Sequence, residues 1–114
     1  MNNLERLEDK KVKYMVDIDG TICYTIDSKY ENSEPNNERI EHFNKLFDEG
    51  NEIHYWTARG ANSGRDWEEF TIRQLQVWGV KYTSVRFGKP HYDIWIDDKA
   101  QNDKEYFKTI KNTG

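Results

Sequence analysis

With 114 residues, the chain is large enough for one domain with a buried core and too short for two. Its formal net charge of −4 sets up no field that would gather polyanions, which argues against general nucleic-acid binding. The single cysteine, Cys23, excludes an intramolecular disulfide and a multi-cysteine zinc site.

Met1 to Lys11 is charged, lacks the apolar core of a signal peptide, and reads as a frayed lead-in helix or turn. No apolar run reaches the length of a membrane helix, so the expectation is a soluble cytoplasmic protein with no membrane partner. Tyr14 to Asp19 predicts a buried first strand. It ends in Asp17-Ile18-Asp19-Gly20-Thr21. Residues i and i+2 of a strand share a face, so both carboxylates leave the sheet together, and Gly20 permits a sharp turn. Clustered acids repel unless a cation lies between them, so the pair reads as a place for Mg²⁺ and phosphate.

Residues 20–34 are polar and predict a loop, long enough for a small hairpin flap. Pro35 suits a first helical turn, and Ile40, Phe43, Leu46 and Phe47 follow at helical spacing up to Gly50. Glu52 to Thr57 predicts a second strand, and Ala58 to Arg65 a loop. Asp66 predicts the cap of a helix lined by Trp67, Phe70, Leu75 and Trp78, closed by Gly79. Thr83 to Phe87 predicts a third strand, Asp93 to Asp97 a fourth, and Lys99 to Lys111 a closing helix. Strands alternating with helices imply a parallel sheet, whose ligands bind beyond the carboxyl ends of its strands. Asp17, Asp19, Thr57, Lys89, Asp97 and Asp98 all fall at those ends.

These residues carry a family resemblance. D-I-D-G-T at 17–21, Thr57, Lys89 and W-I-D-D at 95–98 resemble the four motifs of the haloacid dehalogenase superfamily of phosphatases. The likeness spans roughly residues 13 to 100. It is closest to short, capless capsule biosynthesis phosphatases, which share D-G-T-I-C, a Tyr30-to-Pro35 pattern, Thr57-Ala58-Arg59 and Gly88-Lys89-Pro90. A looser likeness is to polynucleotide 3′-phosphatase domains, through Ile96-Asp97-Asp98-Lys99. The implied fold is a small three-layer Rossmann-like domain over the whole chain, without a cap. Its sheet would have about four parallel strands in the order 3-2-1-4, the first strand central.

The resemblance implies an Mg²⁺-dependent phosphomonoesterase acting on a small phosphorylated metabolite, with a sugar or polyol phosphate of surface-polysaccharide synthesis the leading substrate. Asp17 would attack phosphorus, and Asp19 would protonate the leaving alkoxide and then accept a proton from water. Thr57 and Lys89 would hold phosphoryl oxygens, helped by main-chain N–H groups of Ile18, Gly20 and Thr21 and by Ala58 and Arg59. Arg59 would form a fork with substrate or pair with an acid. Mg²⁺ would be held by Asp17, the Asp19 carbonyl and Asp97, with Asp98 orienting that shell. The open site would draw selectivity from loops 22–34 and 60–66 or from a neighbouring copy in a homo-oligomer. The alternatives are a nucleotide or polynucleotide 3′-phosphatase and a non-catalytic Mg²⁺ or phosphate-binding module.

Blander readings stand beside these. Asp98 equally suits the cap of the last helix, and Lys89 alone is an ordinary surface lysine. His54, inside a strand, reads as structural and His42 as exposed on a helix; His91 is near enough to Lys89 to face the site. Trp67, Phe70 and Trp78 read as core, and Cys23 as a small packing residue rather than a nucleophile.

Overall fold

The computed structural model describes residues 11–60 and 66–113. The expected lead-in over 1–11 falls almost wholly outside them, as does the centre of the 60–66 loop. Three parallel strands, β1 (Lys13–Asp17), β4 (Glu52–Trp56) and β5 (Ser84–Arg86), form a sheet in the order β1-β4-β5. Lys13 to Asp17 pair in register with Glu52 to Trp56, and His54 pairs with Ser84. Tyr14 and Val16 therefore share one face with Ile53 and Tyr55, and the last two are fully buried. Between β1 and β4 lies the expected flap, where β2 (Cys23–Tyr24) pairs antiparallel with β3 (Glu34–Pro35).

Pro35 sits in that hairpin rather than in the helix. Helix α1 (Asn37–Asp48) starts after Asn36, whose Oδ1 accepts from the Arg39 N–H at 3.2 Å. It stops at Gly50, whose φ of +97° only glycine adopts readily. Phe43 meets the rings of Tyr14 and Tyr55 edge-on, each at 6.4 Å. Helix α2 (Glu68–Val77) has Asp66 accepting from the Glu68 N–H at 2.9 Å and buries Thr71 and Leu75. Helix α3 (Asp103–Thr113) starts later than the sequence predicts, because Asn102 and not Asp98 accepts from its first turn. It docks on α1 through Arg39–Asp103 at 2.7 Å and His42–Tyr106 at 2.8 Å. No described helix is long and apolar enough to cross a membrane.

Both crossovers, β1-α1-β4 and β4-α2-β5, advance across the sheet in one direction, which places both helices on one face. Leu75 of α2 accordingly joins Ile53, Tyr55 and Phe43 in one buried cluster, against which α3 packs Tyr106 and Phe107. The described elements thus make two layers rather than three. On the opposite face His54 is buried, held between Ser84 Oγ at 2.5 Å and Glu52 Oε1 at 2.9 Å, which fits its structural reading.

The expected fourth strand does not form. Ile94 and Ile96 are 77% and 91% exposed, and the segment has no ladder partner. The alternation D-I-W-I-D has strand character, but strand propensity is realised only beside a neighbour that accepts the hydrogen bonds. Here the Asp97 carboxylate accepts from the Lys99 N–H at 2.8 Å, a local turn that competes with extended pairing. The three observed strands keep the relative order 3-2-1, and β1 is an edge strand rather than the centre.

Candidate active site

β1 delivers Asp17 at its last ladder position, and the chain then turns through Ile18, Asp19 and Gly20, the last at φ +89°. Both carboxylates reach one cleft of about 260 Å³ beyond the strand ends. Arg59 and Lys89 line it with them. The flap contributes Thr25, Ser28 and Tyr30, and the segment after β5 contributes Pro90, His91 and Tyr92. Ala58 also lines the cleft.

Lys89 is placed by its own backbone. Gly88 turns at φ +85°, and the Lys89 N–H donates to the Thr57 carbonyl at 3.1 Å. Its Nζ then lies 3.0 Å from Asp17 Oδ1, between the rings of Trp56 and Tyr92. Burial raises the Asp17 pKa and the Asp19 charge adds to the rise, only partly offset by the charge and hydrogen bond of Lys89. For Lys89, burial alone would lower the pKa. The Asp17 charge and hydrogen bond, with Tyr92, outweigh it and hold the ammonium above its ordinary value.

Asp19 is gripped from every side. Arg59 Nε donates to its Oδ2 at 3.0 Å and Nη2 to its Oδ1 at 2.9 Å. Thr25 Oγ1 donates to Oδ1 at 2.7 Å, and Thr57 Oγ1 lies 3.5 Å from Oδ2. Of the two roles the sequence leaves open for Arg59, the structure shows pairing with an acid: its fork is spent on Asp19 rather than held out to a substrate oxygen. Thr57 is 1% exposed and does not line the cleft; its hydroxyl accepts from the Arg59 N–H at 3.1 Å. It supports Arg59 and Asp19 instead of reaching a phosphoryl group.

The turn's main-chain donors are likewise committed. The Gly20 N–H donates to the Cys23 carbonyl at 2.9 Å and the Thr21 N–H to the Ile18 carbonyl at 3.2 Å, which leaves neither for a phosphate. The Ile18 side chain is fully buried.

The expected metal ligands are not gathered. Asp97 and Asp98 are exposed and outside the cleft, and no three described His, Cys, Asp or Glu side chains converge as a cation site. Asp17 and Asp19 each already face a cationic side chain. As placed, these residues do not fit Mg²⁺, which needs several oxygen donors free to turn toward it.

Sequence reasoning did not find Thr25, Thr71 or Gln74. Thr71 and Gln74 are three residues apart on α2 beside the apolar Leu75, and polar groups on a core-facing side were the available signal.

No family model matches the chain, and no curated protein does. Among solved structures it is similar to a structural-genomics target from Vibrio cholerae, with a TM-score of 0.72 and 28% identity. The match covers 90% of this chain and 95% of that one, so the likeness extends over the whole domain.

Proposed function

We propose that the chain is a phosphomonoesterase of the haloacid dehalogenase type, with Asp17 as nucleophile and a small sugar or polyol phosphate as substrate. The observation that supports it is the convergence of Asp17, Asp19 and Lys89 in one cleft at the carboxyl ends of parallel strands. Lys89 bonds Oδ1 of Asp17, which directs the other oxygen to phosphorus. A bond forms between that oxygen and phosphorus as the ester P–O bond breaks, and Asp19 gives its proton to the departing alkoxide. Water then attacks the aspartyl-phosphate, Asp19 takes the water's proton, and Asp17 is released. Lys89 offsets charge on Asp17 and, as that bond loosens, on the phosphoryl oxygens.

As placed, the residues hold neither Mg²⁺ nor a fourth strand, so an Mg²⁺ requirement would need a rearrangement that brings Asp97 to the cleft. When bound, the cation would supply charge neutralisation at the phosphoryl oxygens. Asp97 can join Asp17 only if residues 93–97 dock along the free edge of β1.

The test is phosphate release from a panel of sugar phosphates, aryl phosphates and a 3′-phosphorylated oligonucleotide, with Mg²⁺ and with EDTA. The expected result is turnover of small monoesters that Asp17→Asn lowers by about a thousandfold or more, and loss of that turnover in EDTA would show that a cation draws Asp97 to the cleft. Full activity in Asp17→Asn would remove the nucleophile assignment. Preference for the oligonucleotide would move the substrate class to nucleic-acid ends. No release from any ester would favour a binding module.

A further inference from the structure

Arg59 is an unusual residue for a site of this size, because its side chain is fully buried. Two of its N–H groups are spent on Asp19, and a third nitrogen, Nη1, donates to Thr71 Oγ1 at 3.2 Å and Gln74 Oε1 at 2.8 Å. The ring of Tyr30 covers the guanidinium, 4.7 Å from its centroid. Gln74 then closes a circuit, since its Nε2 donates to the Tyr30 carbonyl at 2.8 Å. One helix glutamine therefore touches both the cation that orients Asp19 and the flap that walls the cleft. Trp67 packs edge-on against the same ring, with centroids 4.9 Å apart.

We propose that Arg59 is a positioning residue for Asp19, and that Gln74 couples the Arg59 fork to the Tyr30 flap. The flap's fit around a leaving group is thereby transmitted to the carboxylate that protonates it. This rests on the phosphomonoesterase reading. A fork that grips both oxygens of one carboxylate sets the plane of that carboxylate, and the plane decides whether a proton reaches the leaving oxygen. Tyr30, Ser28 and Thr25 line the cleft with Asp19, Thr25 bonds it and Tyr30 covers the fork, so a leaving group in the cleft meets the elements that hold the fork.

The test compares Gln74→Met, which keeps length and removes both hydrogen bonds, with Gln74→Glu, which keeps the acceptor toward Arg59. Each is assayed with an alkyl phosphate, whose poor leaving group needs the proton, and with an activated aryl phosphate, which needs it little. Gln74→Met is expected to lower kcat on the alkyl ester by about tenfold or more and on the aryl ester by about twofold or less. Gln74→Glu is expected to recover only the part of the alkyl activity owed to the Arg59 fork, because a carboxylate cannot donate to the Tyr30 carbonyl. Equal losses on both esters, or no loss on either, would overturn the proposal even with the wild type active. A wild type that hydrolyses neither ester overturns the functional reading, and with it any positioning role in catalysis.

A second measurement is independent of turnover. The Arg59 Nε–H resonance, assigned by its disappearance in Arg59→Lys, is expected to shift in both Asp19→Asn and Gln74→Met. A resonance unmoved by Gln74→Met would show that Gln74 does not hold the fork.

Discussion

The hydroxyl of Tyr55 lies in the core without a hydrogen-bond partner among the described residues, although the ring is fully buried. Such a group forfeits its bonds to water, and burial pushes its pKa upward so that it stays neutral. Tyr55→Phe is therefore expected to stabilise the domain by about 1 kcal/mol, read as a higher denaturant midpoint at unchanged slope. A lower midpoint would mean that the hydroxyl has a partner such as a buried water. Cys23 gives a second residue-scale expectation. Burial first, then the Asp19 charge, pushes its thiol up to about 11, and the residue is 1% exposed. Alkylation of native Cys23 near neutral pH should be about a hundredfold slower than in the unfolded chain. Rapid native labelling would contradict the packing reading. Legibility at this scale follows position. Asp17, Asp19 and Lys89 could be read because they end strands or follow them directly. The burial of Thr57 and the commitment of Arg59 to Asp19 depend on α2 and the flap, which no local pattern reports.

At the scale of elements, α1 is the hinge of the packing, because it meets the sheet through Phe43 and α3 through His42 and Arg39. His42 sits among Phe43, Tyr106 and Phe107. Burial first, then the Lys45 charge, lowers its pKa from 6.5, while Glu49 opposes them. The folded state thus favours neutral His42, and the unfolded chain takes up the proton more readily. Stability is present above the unfolded value and declines as pH falls through it toward the folded one. The melting temperature is expected to fall between about pH 7.5 and about pH 5, and His42→Leu to flatten that fall. Equal slopes in the two proteins would remove His42 as the cause. The helices were legible because their apolar residues recur at helical spacing and Gly50 and Gly79 mark two of their ends. Their starts were less so: Pro35 favours a first turn locally, but pairing with Cys23 draws it into the flap.

At the scale of the whole molecule, the open edge of β1 and the exposed Ile94 and Ile96 are two halves of one question. Alternation alone cannot say whether a strand has a neighbour, so it could not place residues 93–97 in the sheet. If 93–97 docks there when Mg²⁺ binds, its amides should exchange with solvent quickly without Mg²⁺ and slowly with it. Fast exchange in both conditions would leave Asp97 outside the site and the sheet at three strands. The central claim, that Asp17 takes up the phosphoryl group, is tested most directly by trapping. Protein mixed with a turned-over phosphomonoester, quenched in acid and reduced with borohydride, should carry homoserine at position 17 in its peptide map, because an acyl phosphate is reduced where a free carboxylate is not. Recovery of unmodified aspartate at position 17, from protein that is demonstrably releasing phosphate, would contradict it.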